Sequence, residues 1–231
     1  MARRKKNQKK ADETLVDIVE VRDQAQGFVE KNRVVFFGLL VGIVLIFGGL
    51  FAYNNFYKKP KQQEAVEQMY QAQVQFDRDS FALALTKPGS GYLGFLDIID
   101  TYKGTKAANM AHYYAGICYL NLGQYEAAID YLSDYNPDGE VTPSTKFGAM
   151  GDAYSELQDF GNAMNHYKKA VNATENRVLK AYYLKKVGLL HERNGNFSEA
   201  KAAFERIKNE YPQTTEASDI DKYIKRVSVK G

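Results

Sequence analysis

Three histidines, a single cysteine and scattered carboxylates are the side chains of this 231-residue sequence that could do chemistry. Acid–base or nucleophilic catalysis needs such groups within hydrogen-bond reach of one another. A metal site needs His, Cys or carboxylate ligands at short, regular spacing. Neither arrangement is legible. His112, His166 and His191 fall in separate segments, and none forms a histidine–carboxylate pair with metal-ligand spacing. Cys118 has no companion, so no intrachain disulfide can form, and its neighbours Ile117, Tyr119 and Leu120 mark a buried structural thiol. Combinations of Ser, His and Asp can be drawn, but nothing local supports them. The glycines are accounted for by turns and helix packing, not by a phosphate cradle. The expectation is a protein without a catalytic set, metal or cofactor, which acts by binding.

The residues that do recur at fixed spacing serve packing. Gly116, Tyr119, Gly123, Tyr125, Ala128 and Leu132 stand at offsets 0, 3, 7, 9, 12 and 16. The same offsets from Gly151 give Tyr154, Gln158, Phe160, Ala163 and Tyr167, and from Gly188 they give His191, Gly195, Phe197, Ala200 and Phe204. The first glycine and the alanine let two helices of a hairpin approach closely. Gly123 and Gly195 end the first helix in a left-handed residue, whereas Gln158 implies a turn closed another way. The aromatic residues fill the wedge between hairpins. Copies 35 and 37 residues apart, with this pattern, resemble tetratricopeptide repeats over about residues 109–214. The fold class expected is all-α, a helical solenoid.

The elements around the repeats follow from periodicity. A helix is predicted over residues 61–85, with Ala65, Met69, Ala72 and Phe76 on one stripe, and a second over residues 92–102. The pair reads as a degenerate fourth copy within residues 58–105, ahead of repeats at 109–142, 144–177 and 181–214. Residues 216–227 are predicted to form a capping helix. Solenoids resembling this family receive partners in the concave groove lined by first helices. By repeat position that groove holds Tyr113, Ile117 and Leu120, then Asp152 and Ser155, then Tyr182, Lys185, Leu189 and Glu192. Tyr113 and Ile117 replace the lysine and asparagine with which the family's best-known groove clamps a peptide carboxylate. Tyrosine, aliphatic residues and scattered charge suit extended or partly unfolded polypeptide. A plainer reading, that these positions only pack repeat on repeat, stays open.

Ahead of the repeats, residues 34–53 run without a charge between Arg33 and Lys58. About twenty apolar helical residues match a bilayer core. With an overall mean hydropathy of −0.46, the rest of the chain could not surround such a helix, so it reads as one membrane span. Residues 34–57 form the signal anchor, with Tyr53, Phe56 and Tyr57 as an interfacial aromatic belt against lipid. No small-residue cleavage site follows it. Gly38, Gly42 and Gly49 share a face on which a second membrane helix could pack. Residues 1–33 carry nine Lys/Arg against six Asp/Glu, leaving 22 of each in residues 34–231. The neutral domain therefore lacks the basic excess of a nucleic-acid binder. The basic cluster from Arg3 to Lys10 favours a cytoplasmic tail and could touch ribosomal RNA, and a weak amphipathic helix follows it.

Basic tail, uncleaved span, aromatic-and-lysine exit and tetratricopeptide-like hairpins together resemble the YfgM family of bacterial inner-membrane proteins. The resemblance implies a non-enzymatic ancillary subunit of the SecYEG translocon. Its periplasmic domain would hold nascent or unfolded polypeptide together with a membrane-anchored periplasmic chaperone such as PpiD. Three other readings stay open. One is an assembly scaffold for outer-membrane biogenesis or division, one an enzyme whose site is not legible, and one a protein with its domain in the cytosol.

Overall fold

The computed structural model describes residues 31–230, so the basic cluster and the amphipathic segment lie outside the described residues. The described residues form helices and no strand, in two units divided after Lys59.

The first unit holds α1, Arg33–Ala52, and a π-helical stretch, Tyr53–Lys58. Helix α1 is long and apolar enough to cross a membrane. Its large side chains all face outward, which water would punish and lipid would not. A Cβ added at Gly38, Gly42 or Gly49 would meet nothing within 4 Å, so that face is open in the single chain. In the π-helical stretch the rings of Tyr53 and Tyr57 stack at 5.4 Å, and Lys59 Nζ donates to Asn55 Oδ1 at 3.0 Å.

The second unit is a run of helical hairpins. Helices α2 (Lys59–Asp77), α3 (Phe81–Thr86) and α4 (Phe95–Thr101) precede the pairs α5 (Lys106–Asn121) and α6 (Tyr125–Asp134), α7 (Thr142–Glu156) and α8 (Phe160–Asn172), and α9 (Arg177–Arg193) and α10 (Phe197–Glu210). A short turn, α11 (Thr215–Ser218), leads into α12 (Ile220–Ser228), whose buried Ile220 and Val227 join the core over α10. Polar side chains fix where several helices begin. The Thr105 hydroxyl accepts from Ala108 N–H, Asp159 from Asn162 N–H, and Asn176 from the N–H groups of Val178 and Leu179.

Within each pair a bulky residue of the second helix is driven against a glycine of the first. A Cβ on Gly116 or Gly151 would lie 2.6 Å from the side chain of Leu132 or Tyr167, and one on Gly188 would strike the Phe204 ring. Between pairs, Tyr183 of α9 occupies the space a Cβ on Gly148 of α7 would need. The hairpins close only because these positions carry no side chain.

Three expectations need correction. Gln158 does not close its turn another way: it adopts φ +59°, beside +74° at Gly123 and +77° at Gly195. All three turns close identically, with Gln158 N–H donating to Ser155 C=O at 3.0 Å and Asp159 N–H to Tyr154 C=O at 2.9 Å. The tertiary contacts of α7 and α8 impose the left-handed conformation on a residue that ordinarily avoids it. The helix expected over residues 61–85 also breaks, because Asp79 takes φ +55° and makes the same turn to Phe76 and Gln75. Ala72, Gln75, Asp79, Phe81 and Ala84 therefore repeat offsets 0, 3, 7, 9 and 12 of the later pairs. Its second helix is split into α3 and α4 by the loop at residues 87–94, so the helix expected from residue 92 starts only at Phe95. Gly94 seats that start directly against the Leu85 carbonyl, and Gln75 Nε2 donates to Pro88 C=O at 2.9 Å to hold the loop.

Replacing Gln158 by glycine removes the left-handed penalty and is expected to stabilise the second unit by about 1 kcal/mol. Gly188→Ala overpacks against Phe204 and should cost about 2 kcal/mol. Denaturant unfolding of the detergent-solubilised chain checks both. Equal stabilities for the three proteins would contradict this reading of the turns and close contacts.

Candidate polypeptide groove

The groove is assembled from the exposed edges of α5, α7 and α9, because the opposite faces of those helices carry the glycine contacts. At one position past the glycine the helices present Ile117, Asp152 and Leu189, and four positions past it Leu120, Ser155 and Glu192. Leu120, Asp152, Ser155 and Leu189 line one recess of about 610 Å³. Leu189 is 38 % exposed and Tyr182, nearby on α9, is 40 % exposed, so both offer apolar surface to a partner. Tyr113 and Ile117 pack instead beside Leu132, Ala149 and Met150, the Tyr113 ring lying 5.3 Å from that of Tyr135. They support the groove from beneath.

Two expected groove residues engage the cap. Lys185 Nζ lies 3.1 Å from Asp219 and 4.8 Å from the Tyr223 ring centroid. Glu192, whose side chain is 11 % exposed, pairs with Arg226 of α12 and with Lys230. These contacts hold its carboxyl below the usual 4.5, the Arg226 hydrogen bond being the largest cause.

The groove residues missed in the sequence are Lys186, Tyr125, Glu156, Tyr167 and Arg193, with Leu190. Lys186 Nζ meets Asp152 Oδ1 at 2.6 Å and stands 5.6 Å and 5.2 Å from the ring centroids of Tyr167 and Tyr182. The Tyr167 hydroxyl donates to the same Asp152 oxygen at 2.7 Å. Burial pulls the Lys186 pKa down, but the charge and hydrogen bond of Asp152, helped by Tyr182, more than offset it and leave it raised. Burial, then Asp152, pushes the Tyr167 pKa up. The ammonium and the phenol therefore stay protonated at neutral pH. One signal for this network was present: offset 16 is leucine or phenylalanine in two repeats but tyrosine in the middle one. The Arg193 guanidinium covers the Phe160 ring at 4.4 Å.

The groups weighed for catalysis sit elsewhere. Cys118 is fully buried and its thiol is pushed up to about 12 by desolvation, which removes the thiolate at neutral pH. Burial lowers all three histidine pKa values, so each imidazole is neutral near pH 7. His166 stacks on Tyr154 at 4.9 Å. His191 is half-buried, in a cleft of about 370 Å³ with Leu184 and Ala203, away from the groove lining. Among the described residues no cluster of three His, Cys, Asp or Glu could hold a metal.

The Glu192 pairing has a pH signature. A depressed carboxyl pKa contributes stability above 4.5 that is lost as pH falls through the lowered value. Protection of the α12 amides against hydrogen exchange, taken relative to the intrinsic exchange rate at each pH, should therefore fall as pH drops below 4.5 and through the lowered value. In Glu192→Gln that protection should be lower at neutral pH, by about 1 kcal/mol of lost docking, and nearly independent of pH in the acid range. An unchanged acid profile in the variant would contradict the assignment.

Two family models match segments of this chain. Tetratricopeptide repeat models match residues 110–136 and 186–214, and a second model of that description matches residues 147–177. No curated protein matches the chain. The three segments coincide with the pairs α5–α6, α9–α10 and α7–α8. The protein is thus all-helical over its described residues and carries tetratricopeptide repeats, the mark of a protein–protein interaction scaffold.

Proposed function

We propose that this protein is a membrane-anchored scaffold and holdase that receives emerging polypeptide at the exit of the SecYEG translocon. In this reading α1 is a signal anchor in a bacterial inner membrane, the tail before it is cytoplasmic, and the repeats are periplasmic. A membrane-anchored periplasmic chaperone would share the clients. The observation that carries the reading is the recess itself: an open groove with apolar and tyrosine surface on a chain that also has a helix long and apolar enough to cross a membrane. Tethering raises the local concentration of the groove for anything leaving a channel beside it, so weak and unselective contacts suffice. The same economy explains why the lining lacks the cationic clamp that a single fixed partner sequence would need. The overall layout, basic tail, span, aromatic exit and repeats, supports the translocon as the neighbour.

Affinity purification of the full chain from gently solubilised membranes tests this. SecYEG subunits and a membrane-anchored chaperone should co-purify, and their recovery should fall when Gly38, Gly42 and Gly49 are replaced by leucine if the span selects its neighbour. Purification without any translocon subunit would overturn the proposal.

A further inference from the structure

The recess contains charge, and at its centre that charge is paired. Its lining holds Asp152 and Glu156 against Lys186 and Arg193, two of each sign. The strongest of these, Lys186, is not available to a ligand as a free cation. Asp152 holds it at 2.6 Å, and the rings of Tyr167 and Tyr182 lie 5.6 Å and 5.2 Å from it. Asp152 is equally occupied, since Tyr167 donates to the oxygen that Lys186 binds. Lys185, the neighbouring cation, is engaged by Asp219 of the cap at 3.1 Å. Around this pair a partner meets the apolar surfaces of Leu120, Leu189 and the exposed face of Tyr182, with one exposed charge of each sign, Glu156 and Arg193, beside them.

This arrangement is particular to the middle repeat. The position of Asp152 is isoleucine in the first copy and leucine in the third, and the position of Tyr167 is leucine and phenylalanine. Packing alone would have been served by an aliphatic residue at both. An acid there, one helix away from Lys186, has a different consequence. It cancels a groove lysine that would otherwise draw carboxylates.

We propose that Asp152 is a specificity-determining residue, which by neutralising Lys186 sets the groove to take uncharged apolar stretches from within a polypeptide rather than chain ends or acidic segments. This rests on the reading that the recess binds polypeptide. A chain still emerging from a channel offers no free carboxyl end, so a groove tuned to internal apolar stretches is suited to it.

The test uses the full chain in detergent and two fluorescent peptides of the same leucine- and serine-rich sequence. One is acetylated and amidated, and the other ends in a free carboxylate. The wild type should bind both with affinities within about twofold. Asp152→Asn keeps the size and the acceptor for Tyr167 but frees the Lys186 charge, and should prefer the free-acid peptide by roughly tenfold. The preference should vanish in the double variant Asp152→Asn, Lys186→Met. Lys186→Met alone leaves Asp152 with the Tyr167 hydroxyl but no cation and should instead favour a peptide with a free amino terminus, which keeps the idea testable should Asp152→Asn fold poorly. A wild type that prefers the free acid tenfold, or variants with no change in preference, would overturn the role of Asp152 while leaving polypeptide binding intact. Failure of the wild type to bind either peptide would sink the polypeptide reading, and this inference with it.

Discussion

Each of the three later helical pairs, α5–α6, α7–α8 and α9–α10, closes on a side chain pressed into a glycine. Leu132 fills the space at Gly116, Tyr167 at Gly151 and Phe204 at Gly188, and Tyr183 does the same between pairs at Gly148. The close approach brings two backbones together, buries the small alanines at Ala128, Ala163 and Ala200, and fixes which edge of each first helix is left over. That leftover edge is the groove. The Tyr167 contact also bears directly on the site, because a ring seated on Gly151 carries its hydroxyl to Asp152, the next residue. A packing constraint and a binding surface are therefore one arrangement seen from two sides.

Much of this was legible before any coordinates. Six offsets repeated three times located the pairs, since close packing permits few residue types at Gly116, Ala128 or their equivalents. A helix long and apolar enough to cross a membrane was legible because it is an uncharged run of about twenty residues. What escaped did so for physical reasons. Gln158 adopts a left-handed conformation that its type does not advertise, so tertiary contact overrode local preference there, and Asp79, a type that tolerates it, makes the same turn without a glycine to mark it. The first, degenerate pair hid its register because the loop at residues 87–94 splits its second helix, displacing Phe95 from the expected position. Lys185 and Lys186 are neighbours in sequence, and only the rotation of α9 decides that one serves the cap and the other the groove.

The ends of the solenoid are treated differently. At the C-terminal end α12 covers α10 with Ile220 and Val227 and is pinned by Arg226 on Glu192, which accounts for the two groove positions diverted from ligand binding. At the other end α2 leaves Val66 and Tyr70 exposed. The middle of the groove, where Asp152 and Lys186 cancel, is the part both free of the cap and lined by three successive repeats.

The central claim is that this groove meets polypeptide that has not yet folded. A photo-crosslinking residue placed at Leu189, whose side chain faces the recess, tests it most directly in growing cells. The account predicts a broad ladder of adducts that disappears when protein synthesis is arrested. A single discrete adduct that persists through the arrest would contradict it and would make the protein a docking site for one folded partner.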